Sequence, residues 1–429
     1  MSSFANKPRF RLSKNLVFLF WKYPIVFFTI KWLFLSAIVG LLVGSASALF
    51  LVSLDWATQF RESHVWIIAL LPLAGLLIGC MYHYFGKEVE AGNNLLLANI
   101  NRPAGIISFK MAPFVLIGTI ATHLFGGSAG REGTALQIGG SIADQFTTLF
   151  GLRPRDRRLI LIAGIAAGFG SVFGTPLAGG IFALEVFLTG RIRYDALLPA
   201  FAASIFADLT TKAWQVGHTH YHIPFVPELS AKHVLYAVLA GVAFGAASVV
   251  FSRLTHFIGS IFKNKIAYPP LRPFAGGVLV ALGVFALGSS RYIGLGIPVI
   301  LESFEGPLPV YDFALKIIFT AVTLGAAFKG GEVTPLFFIG ATLGNALSYF
   351  IPLPVGLLAG MGFVAVFAGA ANTPLACTIM AMELFGSQSG VYVAIACVIA
   401  YLFSGRNGIY GAQRVGQPKH LIYGRRSGI

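Results

Sequence analysis

The sequence predicts an all-α polytopic membrane protein built from two related halves, on three grounds: its composition, its short apolar stretches and an internal repeat. Of the 429 residues, 56% are hydrophobic and only 11% are charged, and the mean hydropathy is +0.78. A soluble domain carries about 25% charged residues. A transmembrane β-barrel would show short segments of alternating hydrophobicity. Most of the chain is therefore expected to lie in a lipid bilayer as helices.

Basic residues give the chain a formal net charge of +15, and they cluster beside apolar stretches. No soluble basic domain is visible that could carry a nucleic-acid surface, so no nucleic-acid partner is expected. By the positive-inside rule the clusters mark cytoplasmic edges of a multi-pass protein with both termini in the cytoplasm. The clusters are Lys7, Arg9, Arg11 and Lys14; Arg153, Arg155, Arg157 and Arg158 in a short loop; Arg191 and Arg193; and Lys419, Arg425 and Arg426.

Many of the apolar stretches are too short to cross a bilayer, which takes about 20 helical residues. Residues 159–173 and 176–188 are examples, and Gly174-Thr175 separates them. Backbone that is not helical must lie inside the protein or line a polar cavity when it is at membrane depth. We therefore expect roughly 15–18 segments, many of them broken, half-spanning helices.

An internal repeat divides the chain. Residues 165–187 align with 363–385 at ten of 23 positions, and residues 131–134 align with 331–334, with Gly140 opposite Gly340. We expect a cytoplasmic segment over 1–15 and one transmembrane domain over 16–429, with halves at about 31–215 and 232–425. Repeats with broken helices in corresponding places favour a substrate site near the bilayer midplane, at the interface between the repeats.

Three stretches have the sequence of a helix that begins inside the membrane: residues 92–94, 130–134 and 330–335. The first turn of such a helix presents unpaired N–H groups and the positive end of the helix dipole. Anions bind there without a buried cation. The three stretches therefore predict an anion pathway.

Glu132 lies at one of these helix starts, in Gly130-Arg131-Glu132-Gly133-Thr134. A charge at the bilayer centre costs about 2.5–3.5 kcal/mol on the gentler scales, so such a residue is usually functional. The carboxylate could occupy the anion's own position and leave when protonated, which would make it a gate and a proton carrier. Alternatively, Glu132 caps the helix. Arg131 either attracts anions or pairs with a neighbouring carboxylate.

Three further glutamates have simpler interpretations. Glu185 and Glu383 occupy equivalent places in the two halves, and we expect them to be structural, with hydrogen bonds to backbone at loop junctions. Glu332 could tune the anion site, cap its helix or pair with Lys329.

Two other chemistries carry weak signals. The alternating histidines of His218-Thr219-His220-Tyr221-His222 could bind a transition metal if the segment were extended, but we expect no metal and no cofactor. Ser128 and His123 lie near Glu132 in the sequence, as an intramembrane hydrolase would need. No further catalytic element accompanies them, so we expect no enzyme.

At this point the chain resembles the CLC family of chloride channels and proton-coupled antiporters. Residues 130–133 match the family's gating-glutamate motif, 330–335 fall where its second anion motif belongs, and Tyr410 falls where its central tyrosine stands at a final helix start. The resemblance implies an inverted repeat, a homodimer with one pathway per subunit, Glu132 as gate and proton carrier, and one set of anion-site residues. These are Asn93, Gly130, Arg131, Gly133, Thr134, Gly331, Val333, Thr334 and Tyr410.

The departures from the family pattern indicate a branch within it. Asn93 takes the position of the chloride-coordinating serine, Thr134 stands where proline is usual, and Val333 replaces a phenylalanine. These departures resemble the fluoride-exporting branch, although Leu96 and Asn99 replace rings that follow the central residue in some of its members. An amide offers two N–H donors to a small, strongly hydrated anion, against one from a hydroxyl.

The inner glutamate of the chloride antiporters is also missing, because Val186 stands at its position. A chloride channel and the fluoride branch share this absence. The resemblance implies a fluoride/proton antiporter of a bacterial inner membrane, with a chloride channel or chloride/proton antiporter as the alternative. No soluble regulatory domain is expected after Tyr410.

Overall fold

The computed structural model describes residues 23–102, 105–406, 408–417 and 419. The expected cytoplasmic segment 1–15 and the basic residues Arg425 and Arg426 lie outside these residues. The described part of the chain forms 16 α-helices and one pair of two-residue strands. This agrees with the number of segments predicted from the sequence.

The first half contains eight helices, several of them short. Their bounds are α1 Pro24–Ser63, α2 Leu71–Phe85, α3 Asn93–Asn101, α4 Met111–Leu124, α5 Glu132–Leu149, α6 Pro154–Phe173, α7 Pro176–Glu185 and α8 Leu197–Ala213.

The second half repeats this order. Its helices are α9 Ala231–Lys265, α10 Leu271–Leu287, α11 Ile297–Glu305, α12 Asp312–Gly325, α13 Val333–Leu347, α14 Val355–Ala371, α15 Pro374–Phe385 and α16 Gly390–Phe403. Strands β1 Leu188–Thr189 and β2 Arg414–Val415 pair in parallel.

Few of these helices are long enough to cross a bilayer alone. Within the described residues, three apolar helical stretches have the length and composition to do so: Pro24–Ser63, Val65–Phe85 and Ala231–Lys265. Seven more apolar helical stretches have only 10–17 residues. The predicted abundance of half-spanning helices is confirmed.

Proline and left-handed caps make the helix breaks, and they do so at equivalent places in both halves. Helix α6 ends at Gly174 (φ 71°) and α7 begins at Pro176; α14 ends at Asn372 (φ 60°) and α15 begins at Pro374. A left-handed residue ends a helix without a steric penalty for glycine or asparagine. Proline suits the first helical position because its missing N–H would have no partner there.

Glycines bring the helices at the centre into backbone contact. A Cβ on Gly139 would lie 2.1 Å from the Gly164 carbonyl oxygen, and one on Gly340 would lie 1.9 Å from that of Gly362. The pairs α5–α6 and α13–α14 are therefore packed in the same way. Gly139, and not Gly140 as the sequence alignment has it, is thus the structural counterpart of Gly340.

Arg157 departs from the predicted cytoplasmic loop. Helix α6 begins at Pro154, and the Arg157 side chain turns into the protein, where its guanidinium Nη2 lies 2.7 Å from an Asp144 carboxylate oxygen. It also donates to Asn99 Oδ1 at 3.2 Å, which anchors the C-terminal end of α3. Arg157 therefore stabilises the packing of α6 against α5 and α3 and does not add to the positive charge of the cytoplasmic loop.

Candidate anion site

The two central motifs meet face to face. Gly130 N–H donates to the Gly331 carbonyl at 2.6 Å, and Gly331 N–H donates back to Gly130 at 2.7 Å. The predicted helix starts are confirmed, because α5 begins at Glu132, α13 at Val333 and α3 at Asn93. The first turns of α5 and α13 therefore converge on one small volume between the halves.

The Glu132 carboxylate occupies that volume. Its Oε1 accepts from the Thr334 hydroxyl at 2.5 Å, and its Oε2 accepts from Thr334 N–H and Arg131 N–H, both at 3.1 Å. The residue is fully buried. The three partner groups, two N–H groups and one hydroxyl from two residues, can all donate to a carboxylate oxygen. A carboxylate from the first half thus sits where the helix start of the second half would bind an anion.

Arg131 connects this buried carboxylate to a wide vestibule. Its Nε lies 3.8 Å from Glu132 Oε1, within ion-pair distance but beyond a hydrogen bond. Its side chain also lines a cavity of about 940 Å³. The geometry therefore agrees with both interpretations of Arg131, attraction of anions and pairing with a carboxylate. The charged residues that line the vestibule are Asp55, Arg61, Glu62, Arg131, Arg291 and Glu302.

Gly133 lets Asn93 approach the site. A Cβ on Gly133 would lie 2.8 Å from Asn93 Nδ2 and 3.0 Å from the Gly331 Cα. A side chain there would therefore displace the Asn93 amide or the facing backbone. Gly130 is equally confined, since its Cβ would lie 2.8 Å from Glu132 Oε2.

Asn93 and Tyr410 line a second, very small cavity. Its volume is about 10 Å³, which is about the smallest space that holds one water molecule. The Tyr410 hydroxyl and Asn93 Oδ1 are buried and have no hydrogen-bond partner among the described residues. The other lining residues are aliphatic: Leu96, Leu97, Leu136, Ile165 and Val186. Asn93 and Tyr410 are therefore the two residues with polar side chains around an otherwise aliphatic space for one small guest.

Tyr410 does not stand at a helix start in the described residues, contrary to what the resemblance implies. It is followed by a turn over 411–412 and then by β2. Only its hydroxyl and the close packing around it remain available to a ligand. A helix dipole at this position is absent from the described part of the chain.

Two of the expected site residues, Thr134 and Val333, make no hydrogen bond to the Glu132 carboxylate among the described residues. The Thr134 hydroxyl pairs with Thr119 at 2.6 Å, and so turns away from Glu132. Val333 is the buried first residue of α13. Lys329 places its Nζ over the Tyr82 ring at 3.9 Å, and no ion pair joins it to Glu332 among the described residues.

The register of the two motifs differs from the sequence alignment by one residue. The Gly130–Gly331 bridge, the helix starts and the Gly139–Gly340 equivalence all give an offset of 201 residues. Glu132 therefore corresponds to Val333, and Arg131 to Glu332. The aligned glutamates and threonines had favoured the offset of 200, which is wrong for this segment.

Glu185 and Glu383 join the halves reciprocally. Glu185 accepts from the N–H groups of Leu375 and Ala376 at the start of α15. Glu383 accepts from Leu177 and Ala178 at the start of α7. The predicted hydrogen bonds to backbone are confirmed.

The alternative chemistries find no matching geometry. Ser128 donates its hydroxyl to the Tyr292 carbonyl at 2.8 Å, and neither ring nitrogen of His123 has a hydrogen-bond partner in the described residues. A nucleophile and base must lie within hydrogen-bond reach of one another. His218 packs against Gly174, with its ring 4.0 Å from Asp208.

Sequence reasoning missed an aromatic wall beside Glu132. A cavity of about 10 Å³ there is lined by Phe173, Tyr221, Phe337 and Phe363, and the last two rings stack with centroids 4.0 Å apart. Tyr221 lies between the histidines in the stretch that joins the halves. The aromatic residues are visible in the sequence, but no periodicity links Tyr221 to Glu132, which lies 89 residues earlier.

The fold and the site define a multi-pass helical membrane protein with a buried carboxylate, that of Glu132, between two repeated halves. A family model described as voltage gated chloride channel matches residues 74–405. The chain therefore belongs to the CLC family, whose members are channels and transporters and not enzymes.

Relatives within the family are known from sequence and structure. The chain is 58% identical, over 91% of its own length and 88% of the relative's, to the "Chloride/fluoride channel protein" of Pseudomonas syringae pv. tomato. It is 34% identical to a crystallised CLC-type fluoride/proton antiporter, with a TM-score of 0.88 over 90% of this chain and 98% of the other. A slow cyanobacterial Cl⁻/H⁺ antiporter shares the fold at 18% identity and a TM-score of 0.77, over 89% and 96% of the two chains.

Proposed function

We propose that this protein exports fluoride across the cytoplasmic membrane of a bacterium in exchange for protons. The observation that carries the proposal is the position of the Glu132 carboxylate. A carboxylate that can take up a proton rests on donors from two helix starts, in the position an anion would take.

Competition for this position couples the two ions. When Glu132 is ionised, its oxygens hold the Thr334 hydroxyl and the Thr334 and Arg131 N–H groups. Protonation removes the charge that these donors stabilise, so the side chain leaves and an anion takes its place. Return of the carboxylate displaces the anion and releases the proton on the opposite side. Arg131 keeps one positive charge between the vestibule and the Glu132 carboxylate throughout this cycle.

Asn93 and Tyr410 form a second anion position on this route. Gly133 joins the two positions, because its missing side chain leaves the Asn93 amide against the backbone beside Glu132. At the cavity of about 10 Å³, the amide of Asn93 and the hydroxyl of Tyr410 replace part of the anion's hydration shell. Fluoride is close to water in size and chloride is larger, so the cavity supports fluoride as the preferred guest.

A chloride or fluoride channel is the second candidate. The 58% identical relative is described as a chloride/fluoride channel, and Val186 replaces the inner glutamate of chloride antiporters. The 34% identical structure is a fluoride/proton antiporter. Glu132 distinguishes the candidates, because a channel needs no proton exchange at that residue.

The assembly around the site is part of the same proposal. One transmembrane domain spans 16–429, with halves at about 31–215 and 232–425, and the two runs of eight helices support this division. Both termini lie in the cytoplasm. Two subunits form a homodimer with one pathway each.

Purified protein in liposomes tests the proposal. Vesicles loaded with equal concentrations of fluoride or chloride are opened to transport, ion-selective electrodes record anion efflux, and a pH probe records proton uptake. We expect fluoride efflux to exceed chloride efflux and to draw protons into the vesicles. Empty vesicles give the leak, and Asn93→Ser, which restores the chloride-branch residue, should raise chloride efflux relative to fluoride.

Each failure has a distinct meaning. Chloride efflux as fast as fluoride efflux contradicts the fluoride assignment. Fluoride efflux without proton uptake contradicts exchange and leaves the channel. A fluoride preference that Asn93→Ser does not change removes Asn93 from selectivity.

A further inference from the structure

Residues 408–416 carry Tyr410 and form a non-helical segment, the tyrosine strap, that makes hydrogen bonds to both halves. Ile409 N–H donates to the Ala370 carbonyl at the end of α14, at 2.9 Å, and Arg414 N–H donates to Phe187 of the first half, at 3.3 Å. The pairing of β2 with β1 continues this attachment. The position of Tyr410 is therefore set by its neighbours in the strap.

The Gln413 side chain makes three hydrogen bonds that hold this segment. Its Nε2 donates to the Val186 carbonyl at 2.7 Å and to the Ala371 carbonyl at 2.9 Å, and its Oε1 accepts from Asn372 Nδ2 at 2.7 Å. Both amide hydrogens are thus used. One partner, Val186, itself lines the small cavity with Tyr410. Gln413 therefore ties the strap to the cavity wall and to the second half at once.

Asn94 makes the corresponding contact from the other side of the cavity. Its Oδ1 accepts from Ala412 N–H at 2.9 Å. Asn94 directly follows Asn93, and Ala412 comes two residues after Tyr410. The start of α3 and the tyrosine strap are therefore linked next to the two groups that face the cavity.

No hydrogen bond among the described residues joins the Asn93 amide to the Tyr410 hydroxyl. The Tyr410 hydroxyl and Asn93 Oδ1 have no hydrogen-bond partner among the described residues, so neither holds the other in place. We propose that Gln413 and Asn94 are positioning residues that set the distance between the Asn93 amide and the Tyr410 hydroxyl, and with it the size of anion the central cavity accepts. This rests on the proposed function of the cavity as an anion site.

Two substitutions and one matched control test the proposal in the full-length protein in liposomes. Gln413→Met keeps the length of the side chain and removes all three hydrogen bonds. Asn94→Ala removes the acceptor for Ala412 N–H at an exposed position. Asn94→Asp keeps an acceptor oxygen at the same place. The measurement is the ratio of fluoride to chloride efflux, with the proton-to-fluoride stoichiometry and the melting temperature recorded for each variant.

We expect Gln413→Met and Asn94→Ala to lower the efflux ratio about three- to tenfold, as loss of typical hydrogen bonds would. Chloride efflux should rise while proton coupling persists, because Glu132 is intact. Asn94→Asp should stay within about twofold of the wild type. In an Asn93→Ala background, Asn94→Ala should have no further effect on the ratio.

An unchanged ratio in Asn94→Ala and in folded Gln413→Met overturns the proposal. If Gln413→Met does not fold, Asn94→Ala decides alone. A lower ratio in Asn94→Asp equal to that of Asn94→Ala also overturns it, because the acceptor would then be irrelevant. The wild-type ratio and stoichiometry judge the proposed function separately, since the positioning role is read only from changes relative to the wild type.

Discussion

The two central motifs of this protein are related by the internal repeat, yet only one of them places a carboxylate against the helix start of the other half. Glu132, the first residue of α5, reaches across to Thr334 of α13. The residue at the equivalent place in the second half is Val333, and Glu332 has a buried carboxylate oxygen without a hydrogen-bond partner in the described residues. Two helix starts therefore serve a single carboxylate.

The Glu185 and Glu383 pair behaves in the opposite way. Each carboxylate accepts two N–H groups from the helix start of the other half. Where the repeat symmetry is kept, the residues fasten the halves together. Where it is broken, at Glu132, the geometry suits exchange of one anion for another. Substitutions at the two kinds of place should therefore differ in what they change.

The largest expected effect is that of Glu132→Gln. An amide cannot carry the proton, and its N–H₂ group would face donors in place of an acceptor. We expect proton-coupled fluoride efflux to fall on the order of 100-fold or more, the low end of what a positioned proton-transfer group contributes. Glu332→Gln is the matched control, and it should keep proton coupling. Normal stoichiometry in Glu132→Gln liposomes would remove this residue from the mechanism.

Gly133→Ala should have the next largest effect. The new methyl group would lie 2.8 Å from Asn93 Nδ2 and 3.0 Å from the Gly331 Cα, and overpacking of this kind costs about 1–3 kcal/mol. We expect fluoride efflux to fall about 10- to 100-fold. Gly306→Ala is the control, because a Cβ there meets nothing within 4 Å. Equal rates in the two variants would contradict the tight contact between the motifs.

Thr334→Val tests the asymmetry of the two threonines. The Thr334 hydroxyl donates to Glu132, whereas the Thr134 hydroxyl pairs with Thr119. Loss of a hydrogen bond to a charged group costs about 1.5–3 kcal/mol, but the Thr334 N–H remains, so we expect efflux to change about five- to tenfold. The change in efflux for Thr134→Val should be less than half of the change for Thr334→Val. A reversed order, measured in the same liposome assay, would place the anion position on the other helix start.

Glu383→Gln should leave transport nearly unchanged and lower stability. It replaces one of two accepting oxygens at the start of α7 by a donor, and loss of a helix cap of this kind costs about 1–2 kcal/mol. The free energy of unfolding in detergent measures this loss, and Glu185→Gln should match it. A change of fluoride/proton stoichiometry in either variant would show that these carboxylates do more than fasten the halves.

Much of the fold was predictable because its determinants are local. The breaks at Gly174 and Asn372 and the prolines that follow them are written into the sequence, and so are the helix starts at Asn93 and Glu132. The register of the motifs was not predictable. Identical residues in the alignment favoured Glu332 as the counterpart of Glu132. The contacts of Gly139 and Gly340 with carbonyls of the neighbouring helices show instead that the counterpart is Val333.

The environment of the site was equally beyond local reasoning. Tyr221 comes from the stretch between the halves, and Gln413 from a strap that pairs with residues 226 positions earlier, since β2 joins β1. Arg157 was expected at a positive edge, and burial beside Asp144 gives it a different role. In each case a distant segment supplies the contact.

The sequence by itself determined the membrane class, the two halves, the central helix starts and the presence of one energetically costly charge, Glu132, among them. These follow from composition, from proline and glycine chemistry and from identity between the repeats, all of which are properties of neighbouring residues. Only the tertiary structure decided that two helix starts share the Glu132 carboxylate, and that Asn93 and Tyr410 face one cavity. The physical reason is that the donors to the Glu132 carboxylate come from separate halves, and the distance between them is set only once the halves have packed.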